Sequence, residues 1–161
     1  MSLNGFRHVC ICKQKFMWLE NIKIAIPQEK FREFVNNHKD IFLWMEETTL
    51  GHNTINTIET FIDKEGILNM LNQHSAYAFY RKDKKSYSLV ICWNKDYGHI
   101  MIDFMGLRVN IPALEILLEM ANYCEAMLLV NGKKIITKEF IEKEKLEIEA
   151  KKMSKKNIKG K

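Results

Sequence analysis

Three consecutive stretches, about 76–82, 85–94 and 99–105, are β-rich runs, and apolar and polar positions alternate with period two along much of the second and third. Period two is the signature of half-buried strands. Asp83-Lys84 and the Lys95-Asp96-Tyr97-Gly98 run separate the stretches, so they are expected as a three-strand antiparallel meander. If Arg81 pairs with Ser86 and Asn94 with His99, one face collects Tyr80, Tyr87, Leu89, Ile91, Trp93, Ile100, Ile102 and Phe104. The opposite face then holds Arg81, Ser86, Ser88, Cys92, Asn94, His99 and Asp103, mixed with Tyr77, Phe79, Val90, Met101 and Met105. A slip of one residue would scramble this sorting, which specifies the register.

Elsewhere the period is helical. Phe31, Phe34, Val35 and His38 follow Pro27 at i, i+3, i+4 and i+7 spacing. Asn110 can cap a helix over 111–125 that buries Leu114, Leu117, Leu118, Ala121 and Cys124 and turns Glu115, Glu119 and Asn122 to water. That stripe is wide enough to cover the apolar side of the meander. Met127 to Val130, Asn131-Gly132 and Lys133 to Thr137 read as a hairpin with a type I′ turn. Thr137 then caps a last helix carrying Phe140, Ile141 and Ile148. Residues 7–12 and 16–26 are expected as strands, the second with Ile22, Ile24 and Ile26 on one face. Between 40 and 63, Ile41 to Met45 fits a strand, Gly51, Asn53 and Asn56 mark irregular chain, and Asp63 can cap a short helix burying Ile67, Met70 and Leu71. The fold class expected is α+β: an antiparallel sheet packed on helices, ending in helix, hairpin and helix. In layout this resembles many small bacterial proteins, some from toxin–immunity systems.

A chain of 161 residues, 47% hydrophobic and 28% charged, suits one packed domain. That domain is expected over 1–150, with 1–15 a loosely attached segment. No apolar run nears the ~20 residues needed to cross a bilayer, and Met1 to Lys15 lacks the apolar stretch of a signal peptide. A cytoplasmic protein with reduced cysteines is expected. Met17 is an alternative start.

The net charge of +5 changes meaning once it is located. Six of the 25 basic residues lie in 151–161, where there is no acid. This leaves 19 bases against 20 acids over 1–150, a net −1. Lys151–Lys161 is therefore expected as a disordered basic tail. It offers phosphate contacts but no aromatic for stacking and no Arg, so nucleic acid is expected only through that tail.

No motif fixes a reaction. His8, Cys10 and Cys12 alternate on one strand face, but the outer two are about 13 Å apart and cannot share one zinc. His99 and Asp103 are separated by the same distance, too far for a direct acid–base pair. There is no glycine-rich phosphate loop, and no cofactor or metal is expected. The strongest candidate surface is acidic. Between Lys39 and Lys64 there is no basic residue, while Asp40, Glu46, Glu47, Glu59 and Asp63 accompany Trp44, Phe42 and Phe61. Aromatic anchors ringed by carboxylates suit docking of a basic protein. The competing reading is aromatics in the core and carboxylates in water. The expectation is a non-catalytic protein-binding module: an inhibitor, adaptor or immunity-type protein. The alternatives are an enzyme using Arg81, Ser88, Asn94, His99 and Asp103, and ribosome or nucleic-acid association through the tail.

Overall fold

A computed structural model describes residues 8–105 and 109–159. Residues 1–7 of the expected loosely attached segment, Arg7 of the expected first strand among them, and residues 160–161 of the expected tail lie outside them. The fold is α+β, built on one seven-stranded sheet in the order β2-β3-β4-β5-β1-β6-β7. The strands are β1 (Val9–Cys12), β2 (Phe42–Trp44), β3 (Ser75–Arg81), β4 (Ser86–Trp93), β5 (Ile100–Asp103), β6 (Met127–Val130) and β7 (Lys134–Ile135). All pairings are antiparallel. The meander has the register its pattern demands. Arg81 pairs with Ser86 and Trp93 with Ile100, and the Asn94 N–H donates to His99 O at 2.9 Å. β1 lies between β5 and β6, joining the meander to the C-terminal hairpin through two ladders.

The first face of the sheet carries the main core. Val9, Ile11, Leu89, Ile91, Ile100, Leu128 and Val130 meet α1 (Gln28–Asn37) and α4 (Ile111–Tyr123), and α5 (Lys138–Lys159) packs on α4. The amphipathic stripes account for this. Phe31, Phe34 and Val35 of α1 are buried, as are Leu114, Leu117, Ala121 and Cys124 along α4, with Leu118 partly covered. Asn110 Oδ1 accepts the Ala113 N–H at 2.8 Å, satisfying one orphan donor of the first turn of α4. The Asn131-Gly132 turn has both residues at positive φ, with Lys133 N–H donating to Val130 O, as a type I′ turn requires.

Four expectations are corrected. Residues 16–26 do not form a strand. Ile22 and Ile26 are buried but Ile24 is 54% exposed, and Leu19–Asn21 is a single 3₁₀ turn. The Gln14 side chain replaces a ladder by donating to Asn21 O and accepting from the N–H groups of Lys23 and Ile24. Second, Thr49–Asn56 is a helix (α2) rather than irregular chain, capped by Thr48, whose Oγ1 accepts from Gly51 N at 3.0 Å. Gly51 is required there, because a Cβ would lie 1.8 Å from Met45 O. It precedes α3 (Lys64–Leu71), which is capped by Asp63 as expected but leaves Met70 exposed. Third, Phe79 has φ +57°. This twist turns Phe79 toward the main core and moves Tyr80 and Tyr87 off the first face, into ring contact beside Tyr77. Fourth, the Lys-rich segment expected to be disordered continues α5 to Lys159. Among the described residues no helix is long and apolar enough to cross a membrane.

Candidate functional site

The second face of the sheet has two separate covers. α3 and the 3₁₀ turn Met45–Glu47 shield Tyr77 and Val90 near the β2 side. The N-terminal segment shields Cys10, Cys12 and Leu129 near the β6 side. That segment is pinned by the Gln14 bonds and by Phe16 N–H donating to Gly132 O at 2.9 Å. Gly132, at φ +68°, has a second reason to be glycine: a Cβ there would lie 2.7 Å from Phe16 O. Between the N-terminal segment and β5 lies a cleft of about 630 Å³, within the usual range for small-molecule sites.

The walls and floor of the cleft are mainly apolar, with Phe16, Met17 and Leu19 on one side and Met101, 40% exposed, on the floor. The polar points are His99 at one end and Asp103, His8 and Asn131 toward the other. The β1–β5 register sets Val9 against Ile102 and Cys10 against Met101. His99 is 2% exposed, lies between Phe16 (6.3 Å) and Tyr97 (6.2 Å), and its Nδ1 is buried without a hydrogen-bond partner. Burial lowers its pKa below the ordinary histidine value, favouring the neutral imidazole. Asp103 Oδ1 accepts from Met105 N at 2.7 Å, fixing the carboxylate at the strand end. Cys10 also lines the cleft, but burial pushes its thiol up to about 12, and burial raises Cys12 as well. Both are protonated at neutral pH and poor nucleophiles. Among the described residues no group of three or more His, Cys, Asp or Glu is placed to hold a metal ion.

The expected polar meander face therefore divides. His99 and Asp103 enter one cleft, at opposite ends of it. Asn94 is occupied in its own turn, Oδ1 accepting from Asp96 N and Tyr97 N. Ser88 is buried and donates to Phe79 O at 3.1 Å, and Arg81 bonds Asp83 at the hairpin tip. Sequence reasoning missed Phe16, Met17 and Leu19 because a strand was expected where they form a wall.

The acidic segment is also rearranged. Trp44, expected as an exposed anchor, is 2% exposed: its edge meets Phe31 and its Nε1 donates to Asn36 Oδ1 at 2.9 Å. A strand flanked by α1 must bury this ring, and Phe42 is buried with it. Glu46 Oε1 accepts from Gln73 N at 2.9 Å. Glu47 accepts from Trp44 N and bonds Lys39; partial burial pushes its pKa up, but those two donors outweigh burial and hold the carboxyl below the ordinary range. Asp63 caps α3, Glu59 pairs with Lys64, and Asp40 is exposed. Exposed apolar side chains occur here too, but they are Leu50, Ile55, Phe61 and Ile62.

No family model matches the chain, and neither a curated protein nor a solved structure is similar to it. The class defined by the structure is an α+β protein with a seven-stranded antiparallel sheet, α1 and α4 on the first face and a second face covered in part by α3 and the N-terminal segment.

Proposed function

We propose that this protein is a non-catalytic module that binds another, basic protein through the excursion between β2 and α3. One observation supports the reading. Leu50 (59% exposed), Ile55, Phe61 and Ile62 stand in water on a stretch that holds Glu46, Glu47, Glu59 and Asp63 and no Lys or Arg from 40 to 63. Exposing four large apolar groups on one short excursion is unfavourable unless a partner covers them. Carboxylates around such anchors steer a basic partner and repel acidic ones. Asp63 and Glu47 are structural caps, so the adjustable charge lies with Glu59 and Asp40.

The test is affinity capture from the native host, with the captured protein identified by mass spectrometry and its binding then measured by calorimetry. Ile62→Asp combined with Glu59→Lys should weaken binding at least tenfold, about the 1.4 kcal/mol expected on losing one anchor. Lys143→Ala on α5 should leave it unchanged. Equal affinity for wild type and the double variant would refute the docking site.

A further inference from the structure

We propose that the cleft between the N-terminal segment and β5 binds a small arylalkylamine, with its aromatic hydroxyl or N–H on His99 and its ammonium on Asp103. The site is distinct from the excursion proposed to dock a protein, and the proposal goes beyond that function. Four features of the cleft define the ligand.

The first is His99. Its ring is almost wholly buried, yet Nδ1 meets no partner in the protein. An unpaired buried nitrogen costs about 1–3 kcal/mol, a penalty that a ligand group hydrogen-bonding Nδ1 removes. A neutral imidazole accepts at one nitrogen and donates at the other, so a phenolic hydroxyl or an indole N–H suits it.

The second is the wall. Phe16 and Met17 stand on one side and Met101 on the floor, the last still exposed although it sits mid-strand between Cys10 and Cys92 in the ladders. Thioether sulfurs beside a flat ring are favourable contacts, and an aromatic ring fills such a slot with little loss of freedom.

The third is charge. Asp103 stands at the far end, and no Lys or Arg lines the cleft among the described residues. An anionic ligand is therefore disfavoured and an ammonium favoured.

The fourth is length. His99 and Asp103 are two steps apart on one face of β5, about 13 Å between backbones. That matches an extended aromatic–ethyl–ammonium skeleton with a hydrogen bond at each end.

Tyramine, 4-ethylphenol and 4-hydroxyphenylacetate separate these contributions, because they share the phenol and differ in the far group. Titration calorimetry on the full chain should show saturable one-to-one binding of tyramine, with 4-ethylphenol about tenfold weaker and 4-hydroxyphenylacetate weaker still. Asp103→Asn keeps an acceptor for Met105 N–H and should reduce tyramine to the level of 4-ethylphenol while leaving 4-ethylphenol itself unchanged. His99→Phe should weaken both. Because a buried substitution can disturb folding, the ring signals of His99 in the wild-type protein should also shift on adding tyramine. No saturable tyramine binding at about 1 mM, equal affinity for amine and acid, or static His99 signals would each overturn the assignment. Failure here leaves the protein-docking reading intact, since Ile62 and Glu59 do not line this cleft.

Discussion

His99 shows how one residue links packing to chemistry. The turn Lys95–Gly98 places it at the start of β5, where its backbone O accepts from Asn94 N and its ring enters the space between Phe16 and Tyr97. Burial disfavours the charged imidazolium, so the folded-state pKa lies below the value in the unfolded chain. Between those two values the unfolded chain binds a proton that the native protein does not, and stability rises with pH. The contribution is complete above about 6.5 and is lost as pH falls through the lowered folded-state value. Urea unfolding should therefore show a lower midpoint at pH 5 than at pH 7.5. His99→Asn, which does not titrate there, should flatten that difference. An identical pH profile for the two proteins would show that folding leaves the His99 pKa unshifted. The neighbouring Gly98 makes a steric prediction. Its φ is +61°, a Cβ would lie 2.4 Å from Ala25 Cβ, and its carbonyl accepts the Ile26 N–H. Gly98→Ala should destabilise by about 1–3 kcal/mol in urea titration, through backbone strain added to a steric clash.

At the scale of elements, legibility in the sequence followed the strength of local periodicity. The meander register was readable because two facing hydrophobic patterns admit one alignment, and α4 because Asn110, Pro112 and a continuous Leu/Ala stripe agree. What was not readable depended on contacts remote in sequence. Ile22, Ile24 and Ile26 alternate as a strand would, yet β5 and β6 already occupy both edges of β1, so the segment cannot pair back on the strand it follows and folds over the face instead. The twist at Phe79 has no local signature, and it moved Tyr80 and Tyr87 to the other face. Trp44 belongs to a three-residue strand, too short to display a period, so its burial against Phe31 was decided by α1. The cleft was half visible. His99 and Asp103 were identified from alternation on β5, whereas Phe16, Met17 and Leu19 arrive through a tertiary pairing with the Asn131-Gly132 turn. The role of α4 in closing the first face has a direct test. Leu117→Ala, at a fully buried position, should cost about 2–5 kcal/mol in unfolding free energy. A loss below about 1 kcal/mol would mean that α4 is not the main cover of the sheet.

For the whole molecule, the distribution of charge matters more than its net value. The acidic excursion sits with the covers of the second face, whereas the lysines of 151–159 extend a helix that packs on α4 over the first. The core contacts of α5 are made by Phe140, Ile141 and Ile148, all ahead of Lys151. Salt bridges from Lys145 to Glu115 and Glu142 also lie within that first part. Residues 151–154 are exposed, and the helix there is sustained by continuity with the packed turns rather than by burial. Removing 151–161 therefore takes away six lysines and no described core contact, converting a net charge of +5 to −1. The truncated chain should unfold within about 1 kcal/mol of the full protein. Any retention on heparin or single-stranded RNA should disappear with the tail, because the remaining domain has no excess of cations to release counterions from a phosphate backbone. Binding to a partner captured through Ile62 and Glu59 should survive the deletion with its salt dependence unchanged. The opposite result, partner binding lost with the tail and preserved in the Ile62→Asp, Glu59→Lys variant, would move the recognition surface from the acidic excursion to the lysine helix.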